Sequence, residues 1–298
     1  MVYHIPALLD ESIERLNIRP DGIYIDVTFG GGGHSMEILK RLTTGMLIAF
    51  DQDEDAGMNA PDDKKFIFLN QNFRFLKNNL QYNGIKSIDG LIADLGVSFH
   101  QFDEPGRGFT FRHDAPLDMR MNRGNPQTAA SLIQTLEEPL LADVFFKYGE
   151  LANSKRIARE IISARREKPV TTTGDLVSAI GKLAPPRQEH KFYAKVFQAL
   201  RIAVNHEIEY LKEMLLQALD MLNMGGRLVI ITYHSLEDRV VKNFFRTGNF
   251  EGIVKKDFYG NPETPFRVIN RKGITPGNEE ITRNNRARSA RLRVAEKI

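Results

Sequence analysis

Apolar and polar residues alternate with two different periods over the first 95 residues. Short apolar runs typical of buried strands lie at residues 23–29, 46–50, 66–69 and 90–95. Helical spacing of apolar residues is found at 8–16, 35–42 and 73–82. Strands alternating with helices of this length predict βαβ units and a parallel sheet. The carboxyl ends of its strands, where such sheets bind ligands, carry glycines, Asp51 and Asp94.

The pattern changes after residue 104. A stretch rich in Gly, Phe, Arg and Asp is followed by helical patterns that continue to Leu222, with a break near Asn205. A turn at Gly225–Gly226 and a β-branched strand at 227–233 then resume the sheet. We therefore predict an α/β class fold: a discontinuous domain at residues 1–103 and 207–298, interrupted by a helical insertion at 104–206.

Composition narrows the chemistry. The 298 residues include no cysteine, which excludes disulfides, thiolate nucleophiles and cysteine-bound zinc. No apolar run approaches the roughly 18 residues of a membrane span, so we expect a cytoplasmic protein with no membrane partner. The seven histidines show no close ligand spacing, and no metal site is expected.

Charge is unevenly distributed along the chain. Residues 1–100 hold 9 bases and 14 acids, whereas residues 201–298 hold 17 bases and 12 acids. The basic stretch from Arg283 to Lys297 could bind phosphates or form a solvated tail, and both interpretations stay open.

A glycine run follows the first predicted strand, in the sequence DVTFGGGGHS at residues 26–35. Glycines there let the backbone approach a ligand closely or simply form a turn. The dinucleotide fingerprint G-x-G-x-x-G fails, since its last position is Ser35 or Met36. Asp51, which lies 20 residues after Gly31, could accept both hydroxyls of a ribose. The combination favours S-adenosylmethionine (SAM) over a dinucleotide.

Six motifs now share one register: DVTFGGGGHS, ADLGVS, GFTFRHDAPLDMRM, FQALRIAVNHEIEYL, TYHSLEDRVVKNFF and NNRARSARLRVAEK. From His4 to Lys297 the chain resembles the bacterial ribosomal RNA small-subunit methyltransferase H family, the cytosine-N4 methyltransferases. It departs from the common pattern at Phe99-His100, where a Ser-Pro pair is usual, and at Ala115, where glycine is usual.

The resemblance implies a Rossmann-like class I SAM-dependent methyltransferase sheet with an inserted all-helical, RNA-recognising domain. The implied substrate is a decoding-centre cytidine of 16S ribosomal RNA, within the assembled 30S subunit, methylated at N4. Separately from the resemblance, the long predicted helix from Phe192 to Leu222 either packs inside the insertion or forms a homodimer, and both interpretations stay open. The implied cofactor contacts are Gly32, Gly33, His34, Asp51, Phe73, Asp94 and Gln101.

The chemistry requires alignment of the nucleophile and an acceptor for its amino protons. Asp94 is the predicted catalytic residue, acting on N4 or only on the cofactor. The predicted RNA contacts are Arg112, Arg120, His234 and Arg288, with Arg107 and Arg123 as further phosphate-binding candidates and Asp118 orienting Arg120.

A flipped base needs an aromatic clamp, for which Phe109, Phe111 and Tyr233 are candidates. Three alternatives remain: a methyltransferase of a protein or small molecule, a nicotinamide-dependent oxidoreductase, and a non-catalytic ribosome assembly factor.

Overall fold

The computed structural model describes residues 6–298, apart from the side chains of Phe99 and His100, so His4 lies outside it. The chain divides into two compact units, Met1–Gly96 with Ile208–Ile298, and Val97–Glu207. The second unit thus spans residues 97–207, whereas the predicted insertion spans residues 104–206. In residues 6–298 no helix is both long and apolar enough to span a bilayer.

The first unit opens with strands and helices in alternation, close to the predicted pattern. Its N-terminal elements are α1 (Leu9–Leu16), β1 (Ile23–Asp26), α2 (Gly33–Leu39), β2 (Met46–Phe50), β3 (Phe66–Leu69), α3 (Leu76–Tyr82) and β4 (Ile88–Asp94).

The second unit is helical, as predicted for the insertion. Its helices are α4 (Phe99–Asp103), α5 (Ala129–Thr135), α6 (Glu138–Gly149), α7 (Ser154–Glu167), α8 (Thr173–Ile180) and α9 (Glu189–Asn205). The predicted break near Asn205 is confirmed, because His206 has a left-handed φ of 50° that ends α9. The Asn205 side chain is buried. Its Nδ2 donates to Met119 O and its Oδ1 accepts from Met121 N–H, which fixes the irregular segment before α5.

The chain then returns to the first unit. The remaining elements are α10 (Glu207–Met221), β5 (Leu222–Thr232), α11 (Ser235–Thr247), β6 (Lys255–Lys256), β7 (Pro262–Glu263), β8 (Phe266–Val268), α12 (Asn278–Arg283) and β9 (Arg291–Lys297).

Seven strands form one sheet in the order β3-β2-β1-β4-β5-β9-β8. The five strands from β3 to β5 are parallel, whereas β9 runs antiparallel to β5 and β8 antiparallel to β9. β6 and β7 form a separate two-stranded hairpin. The predicted parallel α/β sheet is confirmed, with an antiparallel edge that the sequence pattern did not indicate.

Successive residues of the strands pack into cores on opposite faces of the sheet, since side chains in a strand alternate between its two sides. Ile25 and Leu91 join the core that includes α3, α10 and α11 residues. Their neighbours Tyr24 and Ile92 join the core with α1 and α2 residues. Both faces of the sheet are therefore covered, as is usual where ligands bind at the carboxyl ends of parallel strands.

The basic C-terminal stretch is not the free tail that was one of its two predicted forms. Residues 291–297 are strand β9, paired with β5 along its length. The Arg293 side chain is 5% exposed, and its Nε and Nη2 donate to the two carboxylate oxygens of Asp238 at 2.6 and 2.9 Å. Lys297 donates to the backbone oxygens of Leu219 and Leu222. These two cations stabilise the fold and are not available to phosphates.

Candidate active site

Four neighbouring parallel strands end at the same edge of the sheet, and each end carries a polar side chain. Asp26 ends β1, Asp51 follows β2, Asp94 ends β4, and Tyr233 follows β5. The fold brings distant residues into hydrogen-bond contact here: Gly30 N–H donates to Asp51, 21 positions away, and the Tyr233 hydroxyl donates to Asp94, 139 positions away. This edge is the candidate active site.

The glycine loop between β1 and α2 has the conformation that its composition predicts. Gly30 and Gly32 have φ values of 50° and 78°, a region that side chains rarely adopt. Gly32 caps α2, and its N–H donates to Phe29 O at 2.7 Å. A Cβ on Gly33 would lie 2.2 Å from Cγ of Pro6, so this glycine is required by packing against the N-terminal segment.

Asp26 stabilises the glycine loop through hydrogen bonds to residues on both sides of the glycines. Its side chain is 2% exposed and accepts hydrogen bonds from Thr28 N–H at 3.0 Å and from the Ser35 hydroxyl at 2.8 Å. Burial raises the pKa of Asp26 to about 6, although these two residues favour its ionised form.

Asp51 holds the loop at Gly30. Its two carboxylate oxygens accept from the backbone N–H groups of Gly30 and Asp53, at 2.8 and 2.9 Å. Burial again is the largest cause and raises the pKa of Asp51 to about 6. Each oxygen keeps a second lone pair for a ligand hydroxyl.

Asp94 makes hydrogen bonds to residues that follow two other strands, Thr28 after β1 and Tyr233 after β5. Its backbone N–H donates to the Thr28 hydroxyl at 2.6 Å, and its Oδ1 accepts from the Tyr233 hydroxyl at 2.8 Å. Burial raises the pKa of Asp94 to about 7, and the Tyr233 hydrogen bond opposes this rise. The sequence predicts only the Tyr233 ring, as an aromatic clamp, and gives no signal for the role of its hydroxyl at the site.

His34 lies beside Asp94 but does not neutralise it. The distance from His34 Nδ1 to Asp94 Oδ2 is 4.0 Å, and burial lowers the pKa of His34 to about 4. The imidazole is therefore neutral near pH 7. Its Nε2 is buried and makes no hydrogen bond of normal geometry in the described structure, although the Ala7 backbone partly opposes the fall in its pKa.

The site concentrates negative charge. Across residues 6–298, no lysine or arginine lies within ion-pair distance of Asp26, Asp51 or Asp94. Buried carboxylates are normally paired, because removing their charge from water is costly. A cationic ligand would supply the missing charge, and the site fits one.

Two of the predicted cofactor residues, Phe73 and Gln101, lie outside the glycine loop and the strand ends. Phe73 begins a 3₁₀ turn that is connected to the Asp51 segment, since Asn72 Nδ2 donates to Gln52 Oε1 at 2.6 Å. Gln101 is buried in α4 of the second unit, where its Oε1 accepts from Ser98 N–H at 3.2 Å.

The predicted RNA contacts differ in solvent exposure and in the hydrogen bonds that they already make within the protein. Arg112 and Arg288 are exposed. Arg120 donates to both oxygens of Asp118, as expected, and also to the backbone oxygens of Arg123 and Asn125. Arg120 is thus occupied in bracing its own loop.

Three further candidates make contacts within the protein, and their predicted roles toward RNA stay predictions. Arg107 is buried and donates to two backbone oxygens, and Phe109 lies in the core of the helical unit. His234 is the N-cap of α11, and its Nδ1 accepts from Glu237 N–H. The sequence signal for the cap was present, since an acid follows three residues after His234.

The sheet order, the glycine turn after its first strand and the acids at the next strand ends define a class I, Rossmann-like methyltransferase domain. The model of the MraW methylase family matches residues 1–298, and the chain belongs to this family. The membership inferred from the motifs is confirmed.

Relatives named ribosomal RNA small subunit methyltransferase H match over almost their whole lengths. The protein of Phocaeicola vulgatus is 55% identical over 297 residues, covering 99% of this chain and 98% of its own. That of Flavobacterium johnsoniae is 54% identical over 299 residues, covering 100% and 99%. A solved rRNA methylase from Streptococcus thermophilus matches with 14% identity and a TM-score of 0.40, over 97% of this chain and 93% of its own.

Proposed function

We propose that this protein transfers a methyl group from SAM to the exocyclic N4 of a decoding-centre cytidine in 16S ribosomal RNA. The names of its relatives support ribosomal RNA of the small subunit as substrate. The cluster of three carboxylates, one buried and two partly buried, without a basic partner supports a cationic cofactor, and this is the observation that carries the proposal.

The residues around the glycine loop would hold the cofactor. Gly32 and Gly33 allow its close approach, Asp51 accepts from its ribose hydroxyls, and Phe73 covers its adenine. His34, Asp94 and Gln101 complete the set. The bound cofactor supplies a methyl group already activated on a positively charged sulfur.

Asp94 would prepare the nucleophile. Its Oδ1 is occupied by the Tyr233 hydroxyl, which leaves Oδ2 to accept a hydrogen bond from the cytidine amino group. That bond draws N4 toward tetrahedral geometry and frees its lone pair. One amino proton must leave after N4 is methylated, and a carboxyl with a pKa of about 7 is suited to receive it.

The test is transfer of labelled methyl from SAM to small subunits, and separately to naked 16S RNA, from a strain that lacks the modification. We expect N4-methylcytidine in the RNA, with assembled subunits as the better substrate. Asp94→Asn, which keeps the size of the side chain, should fold and bind RNA but lose most of the transfer. Label on ribosomal protein, or none with folded enzyme, would overturn the proposal.

A further inference from the structure

The β6–β7 hairpin presents two aromatic side chains to solvent. At its tip, Phe258 is 97% exposed and Tyr259 is 85% exposed. Their ring centroids are 5.6 Å apart with an angle of 87° between the planes, and neither ring contacts another one in the described structure. Adjacent aromatic rings left in water indicate a surface that binds something.

The turn that carries the rings is ordered by its own hydrogen bonds. Oδ1 of Asp257 accepts from the N–H groups of Tyr259 and Asn261, at 2.9 and 2.8 Å, and Oδ2 accepts from Asn261 Nδ2. Gly260 closes the turn with a φ of 88°. Because the backbone is already ordered, little conformational entropy is lost when the rings are covered.

Positive charge adjoins the tip. Lys255 and Lys256 form β6, both are exposed, and no carboxylate lies within ion-pair distance of either in the part of the chain that the structure describes. Residues 250–272 contain five bases and three acids, and one of these acids is Asp257, whose oxygens serve the turn. The surface therefore combines open aromatic faces with available cations.

We propose that this hairpin tip binds unpaired nucleotides of the RNA substrate, an inference that rests on the function proposed above. Phe258 and Tyr259 stack on bases, and Lys255 and Lys256 contact the phosphates. Unpaired bases expose the faces that a duplex hides within its stack. The perpendicular rings suit two bases that point in different directions, as in a loop.

The test compares Phe258→Ala and Tyr259→Ala with Tyr82→Ala, whose side chain is 91% exposed elsewhere on the same unit. For each hairpin variant we expect KM for small subunits to rise roughly tenfold, the loss of one stacked base. The kcat and the affinity for SAM should stay within twofold of wild type. The Tyr82 variant should match wild type throughout.

The lysines have a separate readout. Lys255→Gln with Lys256→Gln should reduce the slope of log affinity against log salt by about 1.4, at roughly 0.7 for each phosphate contact on a single strand. An unchanged slope would contradict their contact with the backbone.

Binding of unmodified 16S RNA without cofactor separates the two proposals. If the aromatic variants bind RNA as wild type does, the hairpin proposal is overturned. If sedimentation then shows that they lose a dimer, the tip is an interface between two copies of this chain. If wild type binds RNA but leaves no methyl group on it, the proposed function fails instead.

Discussion

Burial decides the chemistry of the acids at the site. Asp26, Asp51 and Asp94 all have pKa values raised by loss of solvent, to about 6, 6 and 7. Neutral His34 leaves this charge uncompensated. The same residue types on a solvated surface would be ionised well below neutral pH and would attract a cation only weakly.

The pH dependence of cofactor binding follows from these values. The carboxyls lose their protons as pH rises from 5 to 8, and only the ionised forms attract a cation. The affinity for SAM should therefore rise with pH, by up to about tenfold per unit for each carboxyl that must ionise, and level off near pH 8. Titration calorimetry across this range measures it.

S-adenosylhomocysteine is the matched control, because its sulfur carries no charge. Its affinity should depend less steeply on pH. Equal pH dependence for the two ligands would show that the carboxylates do not respond to the positive sulfur.

At the scale of the element, helix ends account for residues that resemble ligands. His234 caps α11, while Glu237 Oε2 accepts from Tyr233 N–H at 2.9 Å. The cap thereby fixes the residue whose hydroxyl bonds Asp94. From the sequence, this histidine after a strand is predicted to contact RNA, and in the structure its Nδ1 accepts from the backbone N–H of Glu237.

Two substitutions distinguish a capping role for His234 from contact with RNA. Asparagine is a good N-cap, so His234→Asn should keep both thermal stability and methyl transfer. His234→Ala should lose about 1 kcal/mol of stability. Calorimetry and kcat/KM are measured together, and loss of transfer in a fully stable Asn variant would instead assign the imidazole to the substrate.

At the scale of the whole molecule, total charge says little about which cations meet RNA. Arg112 and Arg288 are exposed, whereas Arg120 and Arg293 each form two-point contacts with an aspartate. In sequence, the exposed arginines and the aspartate-bound arginines look alike, because all four lie in basic segments. Only the folded chain separates them.

Replacing each arginine by glutamine tests this division. Arg112→Gln and Arg288→Gln should weaken RNA binding, reduce its salt dependence and leave the melting temperature unchanged. Arg120→Gln should lower stability, on the order of 2 kcal/mol, because it releases Asp118 and two backbone oxygens. An Arg120 variant with full stability but weaker RNA binding would contradict the structural role.

Much of the fold could be predicted because its signals are local. The strands of β1 to β4 and the break between α9 and α10 follow from periodicity and turn residues, and the glycine loop from composition. Strand β9 could not be found this way. Its basic residues, dense from Arg283 onward, suggest a tail, and only the fold shows that Arg293 meets Asp238 from α11, 55 residues away.

The sequence by itself determined the order of strands and helices up to β5, the glycine turn, the acids at the strand ends and the family. These are properties of short segments, and six motifs in register specify them together. The tertiary structure alone decided which groups meet, including the Tyr233 hydroxyl on Asp94 across 139 positions. Burial without a compensating cation also arises only on folding, because it depends on every element packed around the site.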